Sequence, residues 1–300
     1  MKKIAKSLES SFYWVILKTC SLVFQHCPKK VMYTFARLLG MVLYVFAYKH
    51  RKVAYQGLAQ AMELTNGRRH KVVLKCFMSI AKSGAEMAFF LEKPDELRRH
   101  VRIRNAGVLE AALKRGKGVV LVSAHFGNFP LMLGRLCLEG FPVGVIMRPM
   151  KDPRISDMFM PECRRLGLKP IFSIPRRECV QQSLRWLRDN RILFIPIDQN
   201  FGTNGVYVDF FGRKAATATG PIVFAERTDA SVIPCFIIRE KDNSHTIIFE
   251  PEMELVDWKS SPGHLQDNIQ RITCVIERYI RKYPHEWSWI HRRWKSRPKN

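Results

Sequence analysis

Apolar positions along this chain follow two regimes. Up to about residue 100 they sit in helix-compatible stretches; beyond it, short continuous apolar runs alternate with segments of helical spacing. Two apolar runs open the chain. The first lies within MKKIAKSLESSFYWVILKTCSLVFQHC and is interrupted by Lys18; the second, Val31 to Tyr48, spans 18 residues with Arg37 as its one charge. That length is the lower limit for crossing a bilayer, so neither run predicts a clean transmembrane helix. The positive start followed by an apolar stretch has no small-x-small cleavage site, so retention rather than removal is expected.

Beyond residue 100, Val119–Ser123 (VVLVS) and Ile192–Ile197 (ILFIPI) predict strands buried on both faces. Further strands are predicted at Val143–Met147, Pro170–Ser173, Val206–Phe211, Val232–Ile238 and Thr246–Phe249. Helices are expected at Leu131–Leu138, Arg154–Leu166, Cys179–Leu187 and Pro221–Thr228. A last long helix starts near Pro262, after Ser261, with the stripe Leu265, Ile269, Ile272, Ile276, Tyr279 and Tyr283. The alternation predicts an α/β fold: a mixed, mostly parallel central sheet flanked by helices.

Charge adds a membrane to this picture. The chain of 300 residues carries 50 Lys and Arg against 26 Asp and Glu, a formal net charge of +24. Such a field calls for an anionic partner: nucleic acid, an acidic protein or an anionic membrane face. Lys2, Lys3, Lys6, Lys29, Lys30, Lys49, Arg51 and Lys52 bracket the two apolar runs, and Glu9 is the one acid before residue 53. Basic residues flanking apolar segments favour the cytoplasmic leaflet, at about 1 kcal/mol each near the surface. The expected organisation is therefore residues 1–52 as membrane-associated N-terminal helices and 53–300 as the α/β domain. The alternative is that both runs are buried core helices. Composition, at 47% hydrophobic and 25% charged, excludes a disordered or fibrous chain. Eight scattered cysteines without a CxxC predict free thiols rather than a disulfide framework or zinc site. No GxSxG elbow, Walker loop, GxGxxG or HExxH is present.

One segment invites chemistry. The strand VVLVS runs directly into Ala124-His125-Phe126-Gly127-Asn128-Phe129-Pro130. A histidine just past the carboxyl end of a buried strand sits where α/β sheets place ligands, and the helix that follows aims its free N–H groups at the same spot. A neutral imidazole there can take a proton from an alcohol or amine; the alternative is a histidine that caps a loop or helix.

Ala124-His125-Phe126-Gly127-Asn128 resembles the active-site motif of the lipid A biosynthesis acyltransferases, within the lysophospholipid acyltransferase superfamily. Met147-Arg148-Pro149, Ile197-Asp198-Gln199-Asn200, Asp209-Phe210-Phe211-Gly212 with Ala216 to Pro221, and the ending Tyr283 to Lys295 are similar to the same family's blocks, in the same order. The resemblance implies a glycerol-phosphate acyltransferase-like fold and transfer of an acyl chain from a thioester, on acyl-carrier protein or CoA, to a hydroxyl or amine of a membrane lipid. It also implies the cytoplasmic face of a bacterial inner membrane as the location. No cofactor is required beyond the thioester co-substrate, and no nucleic-acid partner is expected.

The family pairs its histidine with an acid five positions on, where this chain has Pro130. Asp198, at the carboxyl end of a neighbouring core strand, is the first candidate for a substitute, with Glu162 and Glu226 behind it. Asp198 otherwise reads as a strand-end turn residue. His125 and Asp198 are thus the expected catalytic pair, with Asn128, Arg148, Arg213 and Lys214 as substrate-binding residues. Arg148 suits a phosphate; its plainer reading is a surface arginine paired with Asp152 or Asp157. Thr217, Thr219 and Gly220 suit a helix cap. Trp287, Trp289 and Trp294, interleaved with His291, Arg292, Arg293 and Lys295, suit a membrane interface, a single-stranded nucleic acid, or a core tryptophan pair with a solvated basic edge. Two rivals stand beside the enzyme: a lipid-binding relative without catalysis, suggested by Pro130, and a nucleic-acid binder, suggested only by charge.

Overall fold

A computed structural model describes residues 14–15, 18–150, 152–202, 205–256 and 262–298. Lys2, Lys3, Lys6 and Glu9 lie outside the described residues. Helical residues 18–26 (α1) lead into α2 (Lys29–Phe46), α3 (Tyr48–Ala61), α4 (Asn66–Phe90) and α5 (Pro94–His100). The rest runs β1 (Val101–Arg104), α6 (Ala106–Lys114), β2 (Val119–Ser123), α7 (Phe129–Leu138), β3 (Val143–Met147), α8 (Pro153–Arg165), β4 (Lys169–Phe172), α9 (Arg176–Arg188) and β5 (Ile192–Pro196). A hairpin β6 (Val206–Phe210) and β7 (Arg213–Thr217) follows, then α10 (Gly220–Thr228), β8 (Ser231–Arg239), β9 (His245–Phe249), α11 (Pro262–Lys282) and a 3-10 turn at Pro284–Glu286.

Seven strands form one sheet in the order β1-β9-β8-β2-β5-β3-β4. Every neighbouring pair is parallel except β8 with β9. The central strands are apolar throughout because helices cover both sheet faces. Along β2, Val120 and Val122 enter one core and Val119 and Leu121 the other. Each such fully buried side chain stabilises the fold by about 1.5–3 kcal/mol.

Both predicted apolar strands and the mixed, mostly parallel sheet are present. Two strands were not predicted. β1 carries Arg102 and Arg104 on a sheet edge, and β7 (RKAAT) lacks strand-forming side chains at most positions.

The N-terminal helices differ from a membrane anchor in one respect. Among the described residues no single helix is long and apolar enough to cross a bilayer; α2 and α3 together reach that length but are bent by 89°. Met32, Ala36 and Gly40 of α2 are buried, and a Cβ at Gly40 would lie 2.5 Å from Met78 Cα of α4. Glycine here is what lets the two helix backbones touch. The opposite face of α2 exposes Val31, Phe35, Leu38, Val42 and Val45. Residue 52, the expected domain boundary, falls inside α3.

Candidate active site

Strands β2 and β5 pair in parallel with Ser123 opposite Pro196, and Ile197 N–H donates to the Ser123 carbonyl at 3.0 Å. Carried two residues further, this register sets His125 beside Asp198. His125 Nδ1 and Asp198 Oδ1 are 2.8 Å apart, and the His125 backbone N–H donates to the same oxygen at 2.9 Å. Since a carboxylate only accepts, Nδ1 carries the proton and Nε2 is left as the ring's basic nitrogen.

Burial governs the electrostatics of the pair. It pulls the His125 pKa down, but the Asp198 charge and hydrogen bond more than offset this and leave it above the usual histidine value. Burial likewise pushes Asp198 up, yet the His125 charge and its hydrogen-bond donors hold it below the usual carboxylate value. Asp198 is only 3% exposed, whereas the His125 side chain keeps 30% of its surface open.

The loop after His125 is shaped by one glycine. Gly127 has φ +57, and a Cβ there would stand 2.2 Å from the Ile237 carbonyl oxygen. Phe126 N–H bonds to Ala124 O, and Gly127 N–H to Glu286 O at 2.9 Å. Asn128 caps α7 by accepting from Leu131 N–H at 3.4 Å. Pro130 stands in the first turn of α7, where its missing N–H leaves no bond unmade. Asn128 and Phe129 are thus the loop residues whose N–H groups are not engaged among the described residues.

His125 opens into a cavity of about 290 Å³ between α4, this loop and residues 285–288. Its walls include Ile80, Gly84 and Met87 of α4, together with Phe129 and Trp287. Behind it lies a second polar cluster. Glu86, fully buried on α4, pairs with Arg239, accepts from Tyr33 Oη at 3.0 Å and accepts from Asn128 Nδ2 at 2.9 Å. His245 Nε2 lies 3.5 Å from Glu86. Sequence reasoning did not single out this cluster; its trace is an isolated acid within the run AKSGAEMAFF of α4.

The remaining expected site residues are placed as follows. Asn128 is fully buried, with its amide spent on α7, Glu86 and the Ser83 carbonyl. Arg148 is exposed, one residue past β3, which neighbours β5 in the sheet. Its suggested partner Asp152 instead caps α8 and holds Arg154 at 2.7 Å. Arg213 and Lys214 begin β7 on the hairpin, with Lys214 3.2 Å from Asp209. Glu162 pairs with Arg165 on α8 at 2.8 Å, and Glu226 lines a separate cavity beside α10.

Of the three readings of the terminal block, the core tryptophan pair is the one present. Trp287 and Trp289 are each 1% exposed and lie in the core. Arg292 and Lys295 form the pair's solvated basic edge, whereas Arg293 does not. It is buried over the Phe210 ring, with Nη1 donating to the Ala216 and Gln199 carbonyls at 2.5 and 3.1 Å. Burial brings its pKa down to about 10.

A histidine–carboxylate pair at the carboxyl ends of two parallel strands, open to an apolar cavity, is a candidate acid–base site in an α/β protein. Residues 1–296 match the family model of the bacterial lipid A biosynthesis acyltransferases. The chain belongs to that family and is an acyltransferase. It is 25% identical over 294 residues to the lipid A biosynthesis lauroyltransferase of Escherichia coli, covering 95% of this chain and 92% of the relative. It is 23% identical over 279 residues to the palmitoleoyltransferase of the same organism, covering 90% and 87%. A phosphatidylinositol mannoside acyltransferase of Mycolicibacterium smegmatis is 25% identical over 188 residues, 62% and 60% of the two chains.

Proposed function

We propose that this acyltransferase moves a fatty acyl chain from a thioester to a hydroxyl of a lipid A-type acceptor, with His125 as general base and Asp198 as its acid partner. The carrying observation is the 2.8 Å contact between His125 Nδ1 and Asp198. It supplies, from two residues past β5, the carboxylate that Pro130 does not.

In this reading the acceptor hydroxyl gives its proton to His125 Nε2 while its oxygen attacks the thioester carbonyl. The C–O bond forms, the C–S bond breaks, and the imidazolium returns the proton to the departing thiolate. Asp198 keeps the tautomer and steadies the imidazolium without itself taking the proton. In this reading the unengaged N–H of Phe129, at the positive end of α7, is the donor to the developing oxyanion. Arg148, on the same rim of the sheet, takes a phosphate of the acceptor or of the donor's pantetheine arm; Arg213 and Lys214 are further phosphate ligands. Asn128 serves the reaction by holding the loop.

The donor is acyl-acyl-carrier protein, an acidic carrier matched to a chain of net charge +24, with acyl-CoA as the other thioester source. The exposed apolar stripe of α2, flanked by Lys29, Lys30 and Lys49, supports seating on the anionic cytoplasmic face of the inner membrane.

The test is acyl transfer by the purified protein, using radiolabelled acyl-acyl-carrier protein and acyl-CoA with a lipid A precursor or a lysophospholipid as acceptor. The expected result is labelled lipid A product from the native protein and none from His125→Ala. Equal product from both proteins removes His125 as the base. Lipid binding without turnover by either protein supports the non-catalytic relative instead.

A further inference from the structure

The segment that follows α11 packs directly onto the His125 loop. Trp287 forms an isolated antiparallel bridge with Phe126. On either side of it, Gly127 N–H donates to Glu286 O at 2.9 Å and Ser288 N–H donates to His125 O at 3.1 Å. The Trp287 ring is buried, and its Nε1–H donates to Asp198 Oδ2 at 2.7 Å. The two carboxylate oxygens are thereby divided: Oδ1 takes both His125 donors and Oδ2 takes the indole. An indole has one polar hydrogen, accepts nothing and does not titrate, so it fixes Oδ2 without competing for the transferred proton.

We propose that Trp287 is a positioning residue for acyl transfer: it locks the rotation of the Asp198 carboxylate and spreads its charge, so that Oδ1 faces His125 Nδ1. Trp287 acts through Asp198 and His125 and so is not itself a catalytic residue. The inference rests on the reading of His125 as base given above. The sign of its effect follows from charge. A donor on Oδ2 makes the carboxylate a weaker acceptor at Oδ1. Removing that donor strengthens the hold of Asp198 on protonated His125 and raises the pKa of the ring. It also frees the carboxylate to rotate, which lowers the rate.

The test uses the full chain labelled with ¹⁵N-histidine, the His125 signals being those absent in His125→Ala. In Trp287→Phe, which keeps a ring but loses the donor, the His125 titration is expected to move up by about half to one pH unit. The acid limb of kcat/KM moves with it. The rate constant kcat falls about tenfold with KM for the acyl donor unchanged. A folded Trp287→Phe protein in which His125 titrates as in the native protein overturns the proposal. Should that variant not fold, the native protein labelled with ¹⁵N-tryptophan decides. The Trp287 indole resonance is expected to shift with the His125 midpoint and to move in Asp198→Asn; a resonance indifferent to both overturns the proposal. Full activity of His125→Ala would instead sink the general-base reading, while these titrations still report on Trp287.

Discussion

Two buried carboxylates, Asp198 and Glu86, bond to the two ends of the segment from His125 to Asn128 and differ in what surrounds them. Among the described residues, Asp198 receives hydrogen-bond donors that carry no permanent charge: the ring and amide of His125 and the indole of Trp287. Its charge is therefore left to act on an imidazole that opens to a cavity. Glu86 is neutralised by the Arg239 guanidinium and sealed by Tyr33 and Asn128. The histidines beside them part accordingly. His125 is held above the usual value, its burial outweighed by Asp198. His245 is pushed well below it, first by burial and then by the positive charges of Arg239 and His100. The difference is one of contact: Arg239 pairs directly with Glu86, whereas the buried Arg293 acts on Asp198 through its field without a hydrogen bond to it among the described residues.

The sharpest way to break this contrast is to remove each charge at nearly constant shape. Asp198→Asn is expected to lower kcat by about 10³–10⁴, as when an imidazole loses the group that fixes its tautomer. Steady-state acyl transfer measures this, and a loss below tenfold would equate Asp198 with Glu86. Glu86→Gln should instead cost about 1.5–3 kcal/mol of stability, because buried Arg239 loses its direct partner and keeps only Glu286, 3.9 Å from its Nε. Urea unfolding reads that change, and the variant that remains folded should keep the His125 titration.

Gly127→Ala joins the two regions, since this glycine leads into Asn128 and lies against Ile237 of β8. A positive φ together with a Cβ against a carbonyl predicts a loss of about 3 kcal/mol, seen in thermal unfolding together with reduced activity.

The smallest effects are in pH dependence. The pKa of His125 is raised by folding, so its contribution to stability is full below the unfolded value of about 6.5 and fades as pH rises through the folded pKa. That of Asp198 is lowered, so its contribution is full above the unfolded value of 3.8 and is lost as pH falls through the folded pKa. Lowered as it is, His245 stabilises above about 6.5 and opposes folding as pH falls below that point. His245→Gln should therefore flatten the stability loss between pH 7 and 5.5 by about 1 kcal/mol, measured by urea midpoints across pH. His125→Gln should change the slope in the opposite sense. If His125 is the base proposed above, activity is expected to rise with pH through the folded pKa of the ring, where the stability given by the pair fades.

Much of the fold was legible in local pattern. VVLVS and ILFIPI read as buried strands because both their faces are covered, and the stripe on α11 read as a helix because its spacing follows one face. β1 and β7 were not legible, since an edge strand and a hairpin strand tolerate charge and alanine. The position of His125 followed from its place after a strand. The function of the terminal block did not: tryptophan among arginines reads alike at a membrane and in a core, and only the buried Asp198, Ala216 and Thr217 acceptors separate the two.

The sequence by itself determined which residues can carry a proton, where the buried strands run, the positive field of the chain and the absence of an acid at position 130. It also offered Asp198 as a substitute. Tertiary structure decided that β5 lies beside β2 in a register that sets Asp198 against His125. It further decided that a segment 162 residues after His125, at Trp287, closes the other side of the carboxylate. Strand order and chain return are long-range choices, made by how the two cores pack against the sheet, and no local pattern of side chains encodes them.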